Sequence, residues 1–309
     1  GYDSALCEQA GLIIRKEDPK REYDRFRGRI MFPINDVHGT VVGFTGRILD
    51  AIVDPKAPPQ AKYVNSPQTI AYNKSHVLYG LDKAKTAIKQ EKLAIMVEGN
   101  MDCILSHQAG VTNTVAVSGT ALTAEQVLLI KRFTTNIVFC FDQDQAGMDA
   151  VVRGVEQVLQ AEMTTTIIRL PFGKDPADVI MKDPAAWTKA VQTAEPVMEY
   201  FFTQAQAKRD LNKVEDKKSM AKDLLPIIAM IGSEIERTHY LQKLADLLRV
   251  EEVALRSSLI KGQFIASLTK PKTSPATPPY SSTTSAIWEW RSRASSARII
   301  SKRAGRAWT

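Results

Sequence analysis

Cysteine is scarce in this chain, and the three present do not work together. Cys7, Cys103 and Cys140 lie too far apart among 309 residues for a zinc-ligand spacing or a disulfide framework. Cys103 and Cys140 fall inside apolar runs and read as packed core thiols. The four histidines, His38, His76, His107 and His239, are just as scattered. No Gly-x-x-x-x-Gly-Lys-Ser/Thr loop is present, which argues against a fused helicase motor. No apolar run approaches the roughly 20 residues of a membrane span, and Gly1-Tyr2-Asp3-Ser4 lacks the basic and apolar regions of a signal peptide. The expectation is a reducing, cytoplasmic protein with no membrane partner and no zinc in this chain.

What is present is an ordinary globular composition, 44% apolar and 24% charged, long enough for one large core or two smaller ones. The formal charge is +7, from 41 Lys and Arg against 34 Asp and Glu. Much of that excess sits at the end, in Arg291, Arg293, Arg298, Lys302, Arg303 and Arg306. The remaining body is close to neutral, so net charge alone does not establish a polyanion partner.

Along the chain, residues 1–14 suggest a short helix ended at Gly11, and 15–24 a polar loop. Arg29–Ile34 and Val41–Arg47 flank the turn residues Asn35-Asp36-Val37-His38-Gly39 and predict a hairpin. Pro55, Pro58 and Pro59 mark a loop, and Lys62–Pro67 a short extended piece. Strands at Leu93–Val97, Thr114–Val117, Ile137–Phe141 and Thr165–Leu170 alternate with helices near Leu81–Glu91, Met101–Ala109, Thr123–Phe133 and Ala146–Glu162. That alternation implies a mainly parallel sheet with right-handed crossovers, an α/β fold. Beyond about residue 184 no strand signal remains, and Trp187–Ala207 and Glu215–Gln263 have helical periodicity. From Ser267 the composition turns to Ser, Thr and Pro, then Arg, Ser and Trp, and disorder is expected. The organisation reads as an α+β basic subdomain at 1–91, the catalytic α/β domain at 92–184, a helical subdomain at 185–264 and a tail at 265–309.

Two apolar strands stop abruptly at acids. One runs Leu93-Ala94-Ile95-Met96-Val97 into Glu98; the other runs Ile137-Val138-Phe139-Cys140-Phe141 into Asp142 and Asp144. Open α/β sheets bind ligands at the carboxyl ends of their strands. Asp142 and Asp144 share a face if strand geometry continues, and two such neighbouring charges are unfavourable without a cation. Hard oxygen ligands of this kind suit Mg²⁺ or Mn²⁺, with water and substrate phosphates completing the shell. The competing interpretation is that these acids cap the helices that follow.

Val97-Glu98-Gly99-Asn100-Met101-Asp102 and Phe141-Asp142-Gln143-Asp144-Gln145-Ala146-Gly147, with the small-residue loop Ser118-Gly119-Thr120 between them, resemble the Toprim fold. Primases, topoisomerases and some nucleases share it. Upstream, Arg25-Phe26-Arg27-Gly28-Arg29-Ile30-Met31-Phe32-Pro33-Ile34, Gly43-Phe44-Thr45-Gly46-Arg47, Lys62-Tyr63-Val64-Asn65-Ser66-Pro67 and Leu78-Tyr79-Gly80 resemble, in order, the bacterial replicative primases of the DnaG family. The resemblance runs to about residue 264. It implies an RNA polymerase core making short primers from NTPs on single-stranded DNA, with an RNA–DNA hybrid as product. It implies that Glu98, Asp142 and Asp144 carry the metal and catalysis, with Asp102 and Asp175 as accompanying acids of the metal site. Arg27, Arg29, Arg47, Lys62 and Lys74 would face template or nucleotide, the bland alternative for each being a solvated charge.

The chain also departs from that family. Asn100 stands where Tyr is usual, which is expected to be tolerated because the side chain is no proposed ligand. The later acidic pair reads Asp175-Pro176-Ala177-Asp178, so Asp178 is shifted by one and reads equally as a helix cap. Residue 1 aligns inside the basic subdomain, and no Cys/His zinc module is found. The family implies a replicative helicase as partner, but residues 267–309 show no helicase-binding domain. A non-catalytic DNA-binding or helicase-interacting fragment is therefore the competing function. A Toprim nuclease or topoisomerase would need a nucleophilic Tyr domain or a different basic flank.

Overall fold

The computed structural model describes residues 2–16, 22–49, 60–119, 121–142, 145–207 and 209–259. They fall in one compact unit, Gly1–Gly262; a second unit, Gln263–Thr309, lies outside the described residues. Asp144, the Pro-rich loop and the expected disordered tail are outside them too.

The first segment holds helix α1 (Ser4–Gln9), capped by Asp3, and then strand β1 (Ile13–Arg15) pairing antiparallel with β2 (Glu22–Asp24). The β1–β2 pair corrects the reading of residues 15–24 as loop. Three-residue strands carry too little alternation to register as a period, and here an Arg15–Glu22 hydrogen bond of 2.9 Å helps join them.

Strands β3 (Arg29–Asn35) and β4 (Val41–Ile48) form the expected hairpin, and β5 (Tyr63–Asn65) pairs with β4. Register sets Ile30 and Tyr63 opposite Arg47, and sets Arg29 opposite Ile48. Opposed residues share a face. Arg47 and Tyr63 therefore lie on the face that buries Ile34 and Thr45, while Arg29 lies on the other.

A 3₁₀ turn at Lys74–His76 leads into Leu78-Tyr79-Gly80. Leu78 is core, and Tyr79 exchanges both backbone hydrogen bonds with Ala116, at 2.9 and 3.0 Å. Gly80 then starts helix α2 (Leu81–Glu91) with φ of 81°; a Cβ there would sit 2.7 Å from Cys103 Sγ. The three-residue motif is thus the splice that joins the first segment to the main sheet.

That sheet is built from β6 (Ala94–Val97), α3 (Asn100–Gln108), β7 (Thr114–Ala116), α4 (Ala124–Lys131), β8 (Asn136–Cys140), α5 (Gln145–Gln160) and β9 (Thr164–Ile167). Helices α6 (Pro176–Lys182) and α7 (Pro184–Gln192) follow, then β10 (Glu195–Pro196) and helices α8 (Val197–Ala207), α9 (Val214–Ala229) and α10 (Glu234–Leu248). Strand order is β10-β9-β8-β6-β7, with β6 to β9 parallel and β10 antiparallel to β9. Strand β10 corrects the expectation of no strand beyond residue 184. It spans two residues, one a proline, and an edge is where a sheet tolerates proline.

Successive strand residues point to opposite faces, and both faces are covered. Ala94, Met96, Ile137 and Phe139 pack with α2, α4, α5 and α8 to α10. Ile95, Val97, Val138 and Cys140 pack with Cys103 of α3, Val179 and Ile180 of α6, and Trp187 of α7. Two-sided burial explains why these strands read as unbroken apolar runs. Cys103 and Cys140 are free, buried thiols, their pKa values pushed up chiefly by burial, to about 12 for Cys103.

Candidate active site

Strands β6 and β8 are neighbours and parallel, with Val97 beside Cys140, so their carboxyl ends open on one rim. Glu98 follows β6 directly, and Asp142 follows β8 after Phe141. The Asp142 backbone N–H donates to Glu98 Oε1 at 3.2 Å. The start of α5 presses against the same spot: a Cβ on Gly147 would meet the Asp142 carbonyl at 2.1 Å and Glu98 Oε1 at 3.0 Å. The glycine trailing the second acidic motif is therefore a steric requirement of the acids' own approach.

Asp102 stands in the first turn of α3 and is 6% exposed. Its two oxygens accept from separate backbone donors, Gly99 N–H at 3.1 Å and Ala177 N–H at 3.0 Å. It therefore ties the start of α3 to the start of α6. Burial pushes its carboxyl from 3.8 up to about 7; the Ala177 N–H opposes this, and the charges of Asp175 and Asp142 add to it. Asp175 caps α6, accepting from Asp178 N–H at 2.8 Å. Asp178 is exposed and accepts from Lys174 N–H at 3.3 Å. The cap on α6 is Asp175, with Asp178 inside the first turn.

The basic residues divide. Arg47 stacks 5.8 Å over the Tyr63 ring. The Tyr63 phenol pKa is raised by burial, lowered by the charge and hydrogen bond of Arg47, and raised further by Asp102 and Asp175. This face of the small sheet is thus within electrostatic reach of the acids. Arg29, on the opposite face, donates to the Gly46 and Lys62 carbonyls at 3.1 and 3.3 Å, bracing the sheet. Arg27 is exposed, 4.7 Å over the Tyr23 ring, and Lys62, just before β5, is exposed as well. Lys74 is carried to the acid rim by its backbone: its carbonyl accepts from Gln126 Nε2 at 3.1 Å, and the Ser75 carbonyl accepts from Thr123 Oγ1 at 2.8 Å. Thr123 caps α4, which begins at the same end of the sheet.

Two residues lie within motifs of the sequence, but their individual places at the site come from the fold. Tyr63 lies within the Lys62–Pro67 motif, and strand register puts it on the Arg47 face, within electrostatic reach of Asp102 and Asp175. Ser118, after β7, has φ of 59°; it donates from its N–H to the Glu98 carbonyl at 3.0 Å and from its hydroxyl to Asn100 Oδ1.

Among the described residues no three His, Cys, Asp or Glu side chains form a ready cage for an ion. The donor set still fits Mg²⁺ or Mn²⁺. Such ions are held by one or two carboxylates, with water and substrate phosphates supplying the rest, and Glu98 and Asp142 supply hard oxygens at one rim. Among the described residues no helix is long and apolar enough to cross a membrane.

Comparison with known proteins agrees with this architecture. Residues 1–85 match the family described as DNA primase catalytic core, N-terminal domain, and residues 95–180 match the Toprim-like family. Residues 198–252 match the DnaB-helicase binding domain of primase. This last match corrects the expectation that no helicase-binding domain is evident: it lies in α8 to α10, upstream of residues 267–309. A DNA primase of Clostridium acetobutylicum is 38% identical over 258 residues, covering 82% of this chain and 41% of the relative. One from Deinococcus radiodurans is 42% identical over 228 residues, covering 73% and 39%. The chain thus spans about two fifths of the length of these curated relatives. A crystal structure of a DNA primase domain from Pseudomonas aeruginosa superposes with a TM-score of 0.72 at 32% identity, covering 83% of this chain and 80% of that one. The DnaG primase catalytic domain bound to ssDNA gives 0.68 at 31%, covering 81% and 77%. With identity above three tenths across most of a solved primase domain, and a Toprim sheet ending in the expected acids, this chain belongs to the DnaG family of bacterial DNA primases.

Proposed function

We propose that this chain is the polymerase core of a DNA primase, joining NTPs into short RNA primers on single-stranded DNA. The observation that carries the reading is the convergence of Glu98 and Asp142 on one rim, with the Arg47–Tyr63 pair within electrostatic reach of Asp102 and Asp175. A bound Mg²⁺ or Mn²⁺ would neutralise nucleotide phosphates and orient in-line attack by a 3′-hydroxyl on the α-phosphate. Glu98 and Asp142 would hold it, joined by Asp144, which lies outside the described residues. Asp102 and Asp175 set the shape of the site, Asp102 by bridging two helix starts and Asp175 by capping α6. Arg47 and Lys74, on the acid side, would meet the incoming nucleotide. Arg27 and Lys62 would neutralise template phosphates, with Arg29 holding the sheet that presents them. The product is an RNA–DNA hybrid.

The segments 1–91, 92–184 and 185–264 act in this reading as template-binding, catalytic and helical parts, supported by three family matches that fall one within each. The match at 198–252 supports a replicative helicase as partner, and a DNA-replication role places the protein in the cytoplasm. That same match favours the second reading, a DNA-binding, helicase-docking piece without synthesis of its own. One assay separates them. Incubated with single-stranded template, NTPs and Mg²⁺ or Mn²⁺, the chain is expected to yield labelled oligoribonucleotides. Asp142→Ala should lower the yield roughly a thousandfold, the equivalent of about 4 kcal/mol at the transition state. Template binding without product would favour the second reading, and cleaved DNA would overturn both.

A further inference from the structure

The loop after β7 adopts a conformation that its residue type does not favour. At φ of 59° Ser118 is left-handed, a region that costs a residue with a Cβ roughly 1 kcal/mol or more. Gly119 follows at φ of 73°, where glycine incurs no such cost. A glycine at 118 would also relieve the strain, but it would give up the hydroxyl. That hydroxyl has one described role, donating to Asn100 Oδ1.

Asn100 is the first residue of α3 and only 7% exposed. A side-chain amide at that depth is unfavourable unless it is hydrogen-bonded, and Ser118 meets its oxygen. The backbone adds a second tie, since Ser118 N–H donates to the Glu98 carbonyl at 3.0 Å. The loop after β7 is therefore fastened to the loop after β6 on both sides of Gly99. Glu98 is gripped at two points: its carbonyl by Ser118 and its carboxylate by Asp142 N–H. If Ser118 relaxed to an ordinary conformation, its N–H would turn away and free the Glu98 carbonyl. The residue at the end of β6 could then rotate, and its carboxylate with it.

We propose that Asn100 and Ser118 form a latch that positions Glu98 for the metal ion. Neither is a ligand; both are positioning residues. The inference rests on reading Glu98 and Asp142 as metal carboxylates. Groups that orient metal ligands change affinity by about tenfold or more when removed, so the latch is to be read from binding and not from turnover.

The test is Mn²⁺ titration of the full chain, following free Mn²⁺ by electron paramagnetic resonance, with melting of the metal-free proteins alongside. Ser118→Ala keeps the Cβ that makes the left-handed turn costly and loses the bond that holds the turn in place, so the loop relaxes and Mn²⁺ binding is expected to weaken about tenfold. Asn100→Ala should weaken it equally, and the double variant no further, because both remove one interaction. Ser118→Gly loses the bond from an unstrained turn and should fall between wild type and Ser118→Ala, at about threefold weaker. It also carries the test if Ser118→Ala does not fold. Wild-type affinity in Ser118→Gly, or losses from Asn100→Ala and Ser118→Ala that simply add, would overturn the latch. If the wild-type chain binds Mn²⁺ no better than Asp142→Ala, the carboxylate reading itself fails and the latch with it.

Discussion

The two larger sheets of this protein carry charge in opposite ways. In the five-stranded sheet β6, and β8 after Asn136, are apolar and buried on both faces, and the acids stand just beyond their carboxyl ends. In the three-stranded sheet the charges sit on the strands themselves, divided between the two faces by a register that sets Arg47 against Tyr63 and Arg29 against Ile48. A buried parallel strand has no face on which a charge can be solvated, so chemistry is confined to its ends. An antiparallel strand with one wet face can display a side chain anywhere along its length. The first arrangement fixes a site rigidly; the second presents a surface.

Truncating the cores should expose that contrast most strongly. Phe139 is fully buried on β8, its ring edge-on to Phe141 at 5.3 Å between centroids. Phe139→Ala should destabilise the protein by about 3–5 kcal/mol. Met31→Ala, on a strand of the small sheet and 38% exposed, should stay within about 0.5 kcal/mol. Denaturant melts measure both, and similar losses would erase the distinction between the sheets.

Titration gives the next effect. Between its unfolded value near 3.8 and its folded value of about 7, Asp102 keeps in the folded protein a proton that the unfolded chain has released. Stability of the metal-free protein should therefore fall as pH rises through that window and level off above it, by roughly 4 kcal/mol in all. Asp102→Asn should flatten this slope whatever its absolute stability. A wild-type profile with no fall between pH 4 and 7 would show that the carboxyl ionises normally. The strands of the small sheet carry no Asp, Glu or His and should add nothing within that window.

The smallest difference separates the two arginines. Arg29→Ala removes a donor from two carbonyls and should cost about 1–2 kcal/mol of stability. Arg47→Ala should leave the melt nearly unchanged while lowering the salt dependence of NTP binding by about one phosphate contact. Equal behaviour of the pair in both measurements would contradict their placement on opposite faces.

The same contrast governs what could be read from the residues alone. Leu93–Val97 and Ile137–Phe141 announced buried strands because two covered faces leave no room for a polar residue, and the sudden acids then marked the ends. Arg29 and Arg47 looked equivalent because a string of residues does not reveal the cross-strand register that assigns their faces. Strand β10 was invisible because two residues have no period, and β2 was hidden in polar sequence. The Asn100–Ser118 bond joins residues from different loops, and nothing local to either one points to the other. The helicase-binding match was missed by looking past α8 to α10, whose helical spacing showed packing and carried no sign of a partner.

Gly147 has a consequence for how this protein would behave in a mutational library. Its missing side chain makes room at once for a carbonyl of the chain trace and for a carboxylate of the site. A screen that selects only for folded protein and one that selects only for product should reject the same substitutions there. At position 142 the two screens should part, since Ala is expected to fold but not to function. Position 147 is thus a place where fitness for folding and fitness for chemistry share one letter of the sequence, and selection for either would keep it.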